Sequence, residues 1–178
     1  LVVFNILNLK IMGLFSFLKS AGSKLVTNKA EENDAKTAAP VANAGLDALK
    51  DAAEKGRAAQ LASKVVGNGI HVENLDIVVD EDTATVYGQV ESTSAKEKVI
   101  LIIGNTEGIG SVDDRLSVVT TEPEATFYTV KEGDSLSKIA KEVYGDMMKY
   151  PVIFEANKPM LKSEDLIYPG QVLRIPAL

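Results

Sequence analysis

Residues Asn74 to Val90 read NLDIVVDEDTATVYGQV, and the alternation within them decides the fold class. Leu75, Ile77 and Val79 recur at every second position before the acidic turn Asp80-Glu81-Asp82, and Ala84, Val86, Gly88 and Val90 do the same after it. A period of two puts alternate side chains on one face, so this stretch predicts a hairpin with one buried face. Helix signals follow at once. Ser94-Ala95-Lys96-Glu97 is a capping-box pattern, in which Ser94 and Glu97 satisfy each other's exposed N–H groups, and the helix is expected to run to about Ile103. Its body, Val99 to Ile103, is apolar on every side, so a sheet against one face is insufficient and a second apolar element is expected over the other. The glycine-spaced stretch Gly104-Asn105-Thr106-Glu107-Gly108-Ile109-Gly110 then leads into a closing strand from Val112 to Val119.

Upstream, an Ala-rich helix is predicted from Leu46 to Val66, stopped by Gly67-Asn68-Gly69. Residues 27 to 45 mix Asn, Glu, Asp, Lys, Ala and Pro40 without periodicity and read as a linker. Residues 1 to 26 form an apolar segment and an amphipathic helix. Leu14, Phe15, Phe17, Leu18, Ala21 and Leu25 cluster on one face of that helix, the expected cover for Val99 to Ile103. Met12-Gly13 reads as a natural start, which makes residues 1 to 11 an extension. Asn5, Asn8 and Lys10 interrupt the apolar run before it can span a bilayer, and nothing basic precedes it as a signal peptide requires.

Among the 178 residues, 46% are hydrophobic and 25% charged, a soluble globular composition. Cysteine is absent and His71 is the sole histidine. Disulfides, thiolate metal sites and two-histidine zinc sites are excluded, and a Ser-His-Asp triad would rest on one residue, so a binding protein is expected rather than an enzyme. His71 itself reads as structural or exposed. The net charge of −6 argues against nucleic acid as a partner. The acid is localised: residues 68 to 126 carry 12 acidic and 3 basic side chains, against 7 and 7 in residues 127 to 178.

Residues 46 to 121 therefore make one small α+β unit, 122 to 126 a hinge around Pro123, and 127 to 178 a second unit. In the latter, Phe127 to Val130 and Val172 to Ile175 are predicted to pair as strands. Between them Asp134 caps a helix with Leu136, Ile139, Ala140 and Val143 on one face, and Gly145 ends it. Pro151 cannot sit deep in a helix, so the next helix is expected to begin near Tyr150 with Pro151 in its first turn.

Two resemblances attach to these units. From about Ala53 to Thr120, with Val86-Tyr87-Gly88-Gln89-Val90 and Gly108-Ile109-Gly110-Ser111-Val112-Asp113-Asp114, the chain resembles the BON domain. From Tyr128-Thr129-Val130-Lys131-Glu132-Gly133-Asp134-Ser135-Leu136, through Ile153-Phe154-Glu155-Ala156-Asn157, to Ile167-Tyr168-Pro169-Gly170-Gln171, it resembles a complete βααβ LysM domain. The order of the two, behind Met12-Gly13-Leu14-Phe15, is similar to a family of small bacterial cytoplasmic potassium-binding proteins. That resemblance implies K+ as ligand, a cytoplasmic monomer without membrane span, and an ion sensor that changes conformation on binding and serves under osmotic stress.

Potassium is held by several neutral oxygens, commonly backbone carbonyls, and glycines let a loop turn them inward. Three glycines in seven residues after a helix C-terminus meet that need. The expected ligands are the carbonyls of Leu18, Ala21, Gly104, Thr106, Gly108 and Ile109. Calcium is the rival for Asp80, Glu81, Asp82, Asp113 and Asp114, but the loop pattern such a site needs fails at Ala84. The LysM resemblance implies a different ligand, peptidoglycan or an N-acetylglucosamine oligomer, gripped between Gly133, Asp134, Ser135 and Leu136 and the segment carrying Asn157, Ile167 and Tyr168. On that alternative the chain is an envelope protein, with the BON unit contacting phospholipid or protein.

Overall fold

The computed structural model describes residues 14 to 17 and 40 to 178. The fold is α+β, with a four-stranded mixed sheet in the first unit and a two-stranded sheet in the second. The predicted hairpin is β2 (Glu73–Asp80) and β3 (Thr83–Ser92), antiparallel, with Ile77, Val79, Ala84, Val86 and Val90 buried on one face. After α2 (Thr93–Gly104), β4 (Ser111–Thr120) returns parallel to β3. A helix must intervene there, because parallel neighbours cannot be joined by a tight turn. The long helix α1 (Pro40–Gly67) lays Leu61 and Val65 onto the same core. It begins at Pro40, inside the stretch read as linker; proline is suited to the first turn of a helix, where its missing N–H is no loss.

The N-terminal segment departs from expectation. Leu14–Ser16 is a strand, β1, not the start of an amphipathic helix, and it pairs antiparallel with β4 in the sheet order β1-β4-β3-β2. Phe15 and Phe17, spaced by two, fit a strand as well as a helix face, and the open edge of β4 decides between them. The remainder of that expected helix, including Leu18, Ala21 and Leu25, lies outside the described residues.

The second unit contains β5 (Thr126–Thr129), α3 (Leu136–Tyr144), a 3-10 turn (Met147–Lys149), α4 (Tyr150–Ala156) and β6 (Val172–Ile175), with β5 and β6 antiparallel. Pro151 lies in the first turn of α4, and Gly145 ends α3 in the left-handed conformation at φ 74°. Two details differ from the sequence reading. Ser135 caps α3, accepting from Lys138 N–H, while Asp134 instead accepts from Tyr128 O–H (3.0 Å) and Lys131 N–H (2.8 Å). Val143 is exposed, so the buried face of α3 is Leu136, Ile139 and Ala140.

The two units are docked, and α2 is the surface between them. All five residues from Val99 to Ile103 are buried. One side of the helix meets the sheet; Phe17 lies over its end at Gly104, and the segment carrying Asn157, Lys158, Pro159 and Met160 lies beside Lys98, Leu101 and Ile102. Among the described residues, the second apolar cover is thus the C-terminal unit together with Phe17, while the rest of the expected N-terminal helix lies outside them. Met160 packs against both cores, and Phe15 meets Phe127 of β5 edge to face at 5.4 Å.

Candidate functional site

The helix α2 starts two residues earlier than its capping-box pattern suggested. Ser92, not Ser94, is the N-cap, its hydroxyl accepting from Ala95 N–H. That frees Glu97 from capping, and its carboxylate is buried, accepting from Ala125 N–H (2.8 Å) and from Arg174 Nε on β6 (2.6 Å). Charge-assisted bonds of this length are strong in geometry, yet desolvation offsets most of their net contribution, so the pair fixes a docking register more than it adds stability. Lys98, one residue on, has its ammonium pKa pushed down by burial and by the nearby Arg174 charge.

At the other end of α2 the chain unwinds into the glycine-spaced loop. Asn105 N–H donates to Leu101 O (2.9 Å), Thr106 N–H to Ile103 O (3.0 Å), and Ile109 N–H to Thr106 O (3.1 Å). Thr106 Oγ1 donates to Ile102 O at 2.8 Å. Gly108 has φ 84°, so here the glycine is needed for its backbone conformation. Gly104 is different. A Cβ there would fall on the Phe17 ring, so glycine is required for space. The carbonyls of Gly104 and Ile109 receive no hydrogen bond from the described residues.

Three strands of chain converge on this loop. Gly110 and Ser111 N–H groups donate to Asp82 O in the hairpin turn (2.8 and 3.2 Å), and Phe17 N–H donates to Gly110 O (2.8 Å), so the chain leaves β1 at the loop. From α1, Arg57 donates to Gly108 O (2.8 Å) and Glu81 O (2.5 Å), and Lys64 Nζ donates to Thr106 Oγ1 (3.1 Å). A cleft of about 160 Å³ opens beside it, lined by Arg57, Gln60, Leu61, Lys64, Thr106, Glu107 and Ile109. Of the expected ligands, Gly104, Thr106, Gly108 and Ile109 share this loop, while Leu18 and Ala21 lie outside the described residues.

The acidic side chains are otherwise engaged. Asp80 is paired with Lys50, Asp113 with Arg115 and Asp114 with Lys96, and among the described residues no group of three metal-ligating side chains converges. His71 is exposed at the approach to β2.

In the second unit, the residues expected to grip a glycan divide. Gly133, Asp134, Ser135, Ile167 and Tyr168 retain some exposure, but Leu136 belongs to the core and Asn157 is only 2% exposed. The Asn157 amide is spent on backbone: Nδ2 donates to Ile153 O (2.7 Å) and Arg174 O (2.8 Å), and Oδ1 accepts from Arg174 N–H (2.8 Å). A second asparagine does the same two residues earlier on β6. Asn105, from the glycine-spaced loop, donates from Nδ2 to Val172 O (2.9 Å) and accepts at Oδ1 from Val172 N–H (2.8 Å). The edge of β6 opposite β5 is thereby closed by two side-chain amides, one from each unit. Sequence reasoning took Asn105 for a turn residue and Glu97 for a cap; their polar character after and within an apolar helix was the available signal.

Family comparison agrees with this division. The LysM domain family matches residues 128–176 and the BON domain family residues 53–120, so the protein is of the class that joins these two binding modules in one chain. It is 43% identical over 169 residues to the potassium binding protein Kbp of Escherichia coli, covering 93% of this chain and 99% of that protein. An uncharacterized protein of Deinococcus radiodurans is 36% identical over 126 residues, 64% of this chain and about half (49%) of its own length. The chain belongs to the family of Kbp.

Proposed function

We propose that this protein binds potassium reversibly at the loop between α2 and β4, through backbone carbonyls of that loop and of the chain that follows β1. The observation that carries the reading is the convergence at Gly104 to Gly110: two carbonyls without a donor among the described residues, and the Phe17–Gly110 bond that holds the end of β1 beside them. Neutral oxygens at the negative end of α2 suit a monovalent cation of low charge density. The acidic excess of residues 68 to 126 raises the cation concentration around the unit without choosing among cations, and works against Arg57 and Lys64 at the loop itself. The name of the Escherichia coli relative supports the same ligand. On this reading the protein is a cytoplasmic ion sensor whose domain docking responds to occupancy.

The glycan alternative is weaker on one specific ground: the segment from Asn157 to Met160, part of the implied sugar groove, is engaged with α2. Amide NMR tests the potassium reading. Titration with KCl should shift Gly104, Gly108, Ile109 and Gly110 selectively, with NaCl at equal ionic strength leaving them in place. Uniform small shifts across the surface, the same for both salts, would refute it.

A further inference from the structure

Asn105 stands in two places at once. Its backbone is the C-cap of α2 and the second residue of the carbonyl loop; its side chain closes the open edge of β6 through both polar groups of Val172. We infer that Asn105 is the positioning residue that couples occupancy of the cation loop to docking of the LysM unit, with Glu97 and Arg174 as the latch that sets the docking register. This rests on the potassium reading above.

This side chain is the one polar group of the loop bonded directly to a strand of the LysM unit among the described residues. An amide that makes two bonds to one residue of β6, at its N–H and its C=O, is held in position and plane, and its Cα lies directly after Gly104. Any movement of the loop that turns the Gly104 carbonyl toward or away from an ion rotates the adjoining Asn105 backbone. The paired side-chain bonds then lengthen or the LysM unit follows. In the other direction, undocking leaves Val172 N–H and O to solvent and releases the Asn105 side chain, so the loop loses one of its fixed points. The other contacts reach the loop less directly: Glu97 lies two turns away along α2, Met160 Sδ meets the loop only by accepting from Asn105 Nδ2 (3.3 Å), and Phe127 acts through Phe15 and the adjoining Phe17, whose N–H donates to Gly110 O.

Coupling between ion and docking is reciprocal: the factor by which potassium favours the docked state equals the factor by which docking raises potassium affinity. Typical values are about 5- to 150-fold. Since the chain has no cysteine, Gln89→Cys and Glu164→Cys, on exposed positions of the two units, give a clean pair for fluorescence energy transfer. The full chain is titrated with KCl, reading transfer and calorimetric heat together. Wild type should show both responses at the same potassium concentration. Asn105→Ala should keep a measurable heat with affinity about tenfold weaker, and its transfer efficiency should no longer follow potassium. Arg174→Met, which leaves the loop untouched, should loosen docking and weaken potassium binding by at most the coupling factor.

Asn105→Ala with wild-type affinity and an unchanged transfer response overturns the coupling while leaving the potassium reading intact. So does Arg174→Met that undocks yet binds potassium normally. Absence of any potassium heat in wild type overturns both together, and that outcome is distinguishable because it is read before any variant is made.

Discussion

Gly104→Ala separates two reasons for a glycine. If Gly104 served only as the last residue of a helix, alanine would stabilise α2 by about 0.5–1 kcal/mol, because glycine loses more backbone entropy on folding. The structure predicts the opposite sign. The new Cβ meets the Phe17 ring, which lies over the end of α2 and packs against the core of the first unit. Forcing a methyl group into such a contact costs about 1–3 kcal/mol, and evicting the half-buried ring instead forfeits a similar amount of apolar burial. A net loss of about 2 kcal/mol corresponds to a fall of roughly 4–8 °C in Tm for a chain of this size. Thermal unfolding followed by circular dichroism reads this directly. In a Phe17→Ala background the clash is gone, and Gly104→Ala should become neutral or stabilising. The reasoning is refuted if Gly104→Ala raises Tm in the wild-type background, or if its cost is the same with and without Phe17.

Three further outcomes follow from the interface and the small core. Arg174→Ala leaves the Glu97 carboxylate buried without its partner and should cost about 3–5 kcal/mol in urea unfolding, whereas replacing both residues by apolar ones of similar volume should cost far less. Asn157→Ala strips the partners from Arg174 N–H and Arg174 O, at about 1–3 kcal/mol for each group left unsatisfied, while Ile153 O keeps the backbone N–H of residue 157, and the C-terminal unit should unfold at lower temperature than the rest in calorimetric scans. Tyr128 has its phenol pKa pushed up to about 12 by burial and by hydrogen bonds to Asp134 and Glu142. Because the folded value exceeds the unfolded one near 10, stability is fully present below pH 10 and is lost as pH rises toward 12. Tyr128→Phe should flatten that alkaline decline in stability measured by denaturant titration.

Local pattern carried much of the fold. The hairpin, the left-handed cap at Gly145 and the first-turn Pro151 each depend on residues within a few positions, and each is read from them. The misread elements depend on distant partners. Phe15 and Phe17 have a spacing compatible with helix or strand, and only the edge of β4, nearly a hundred residues later, selects the strand. Glu97 looked like a cap because its true partner, Arg174, is 77 positions away. The all-round apolarity of α2 was legible and correctly demanded a second cover, but sequence alone did not name the LysM unit as that cover. The candidate loop was legible through its glycines, although Gly104 and Gly108 prove to be glycine for unlike reasons.

The central claim is that the loop after α2 selects potassium with backbone oxygen. Isothermal titration calorimetry of the full chain with potassium, sodium and calcium chlorides at matched ionic strength tests it most directly. A single saturable potassium isotherm, with sodium and calcium giving only heats of dilution, is the predicted result; equal weak heats from all three salts would contradict the account.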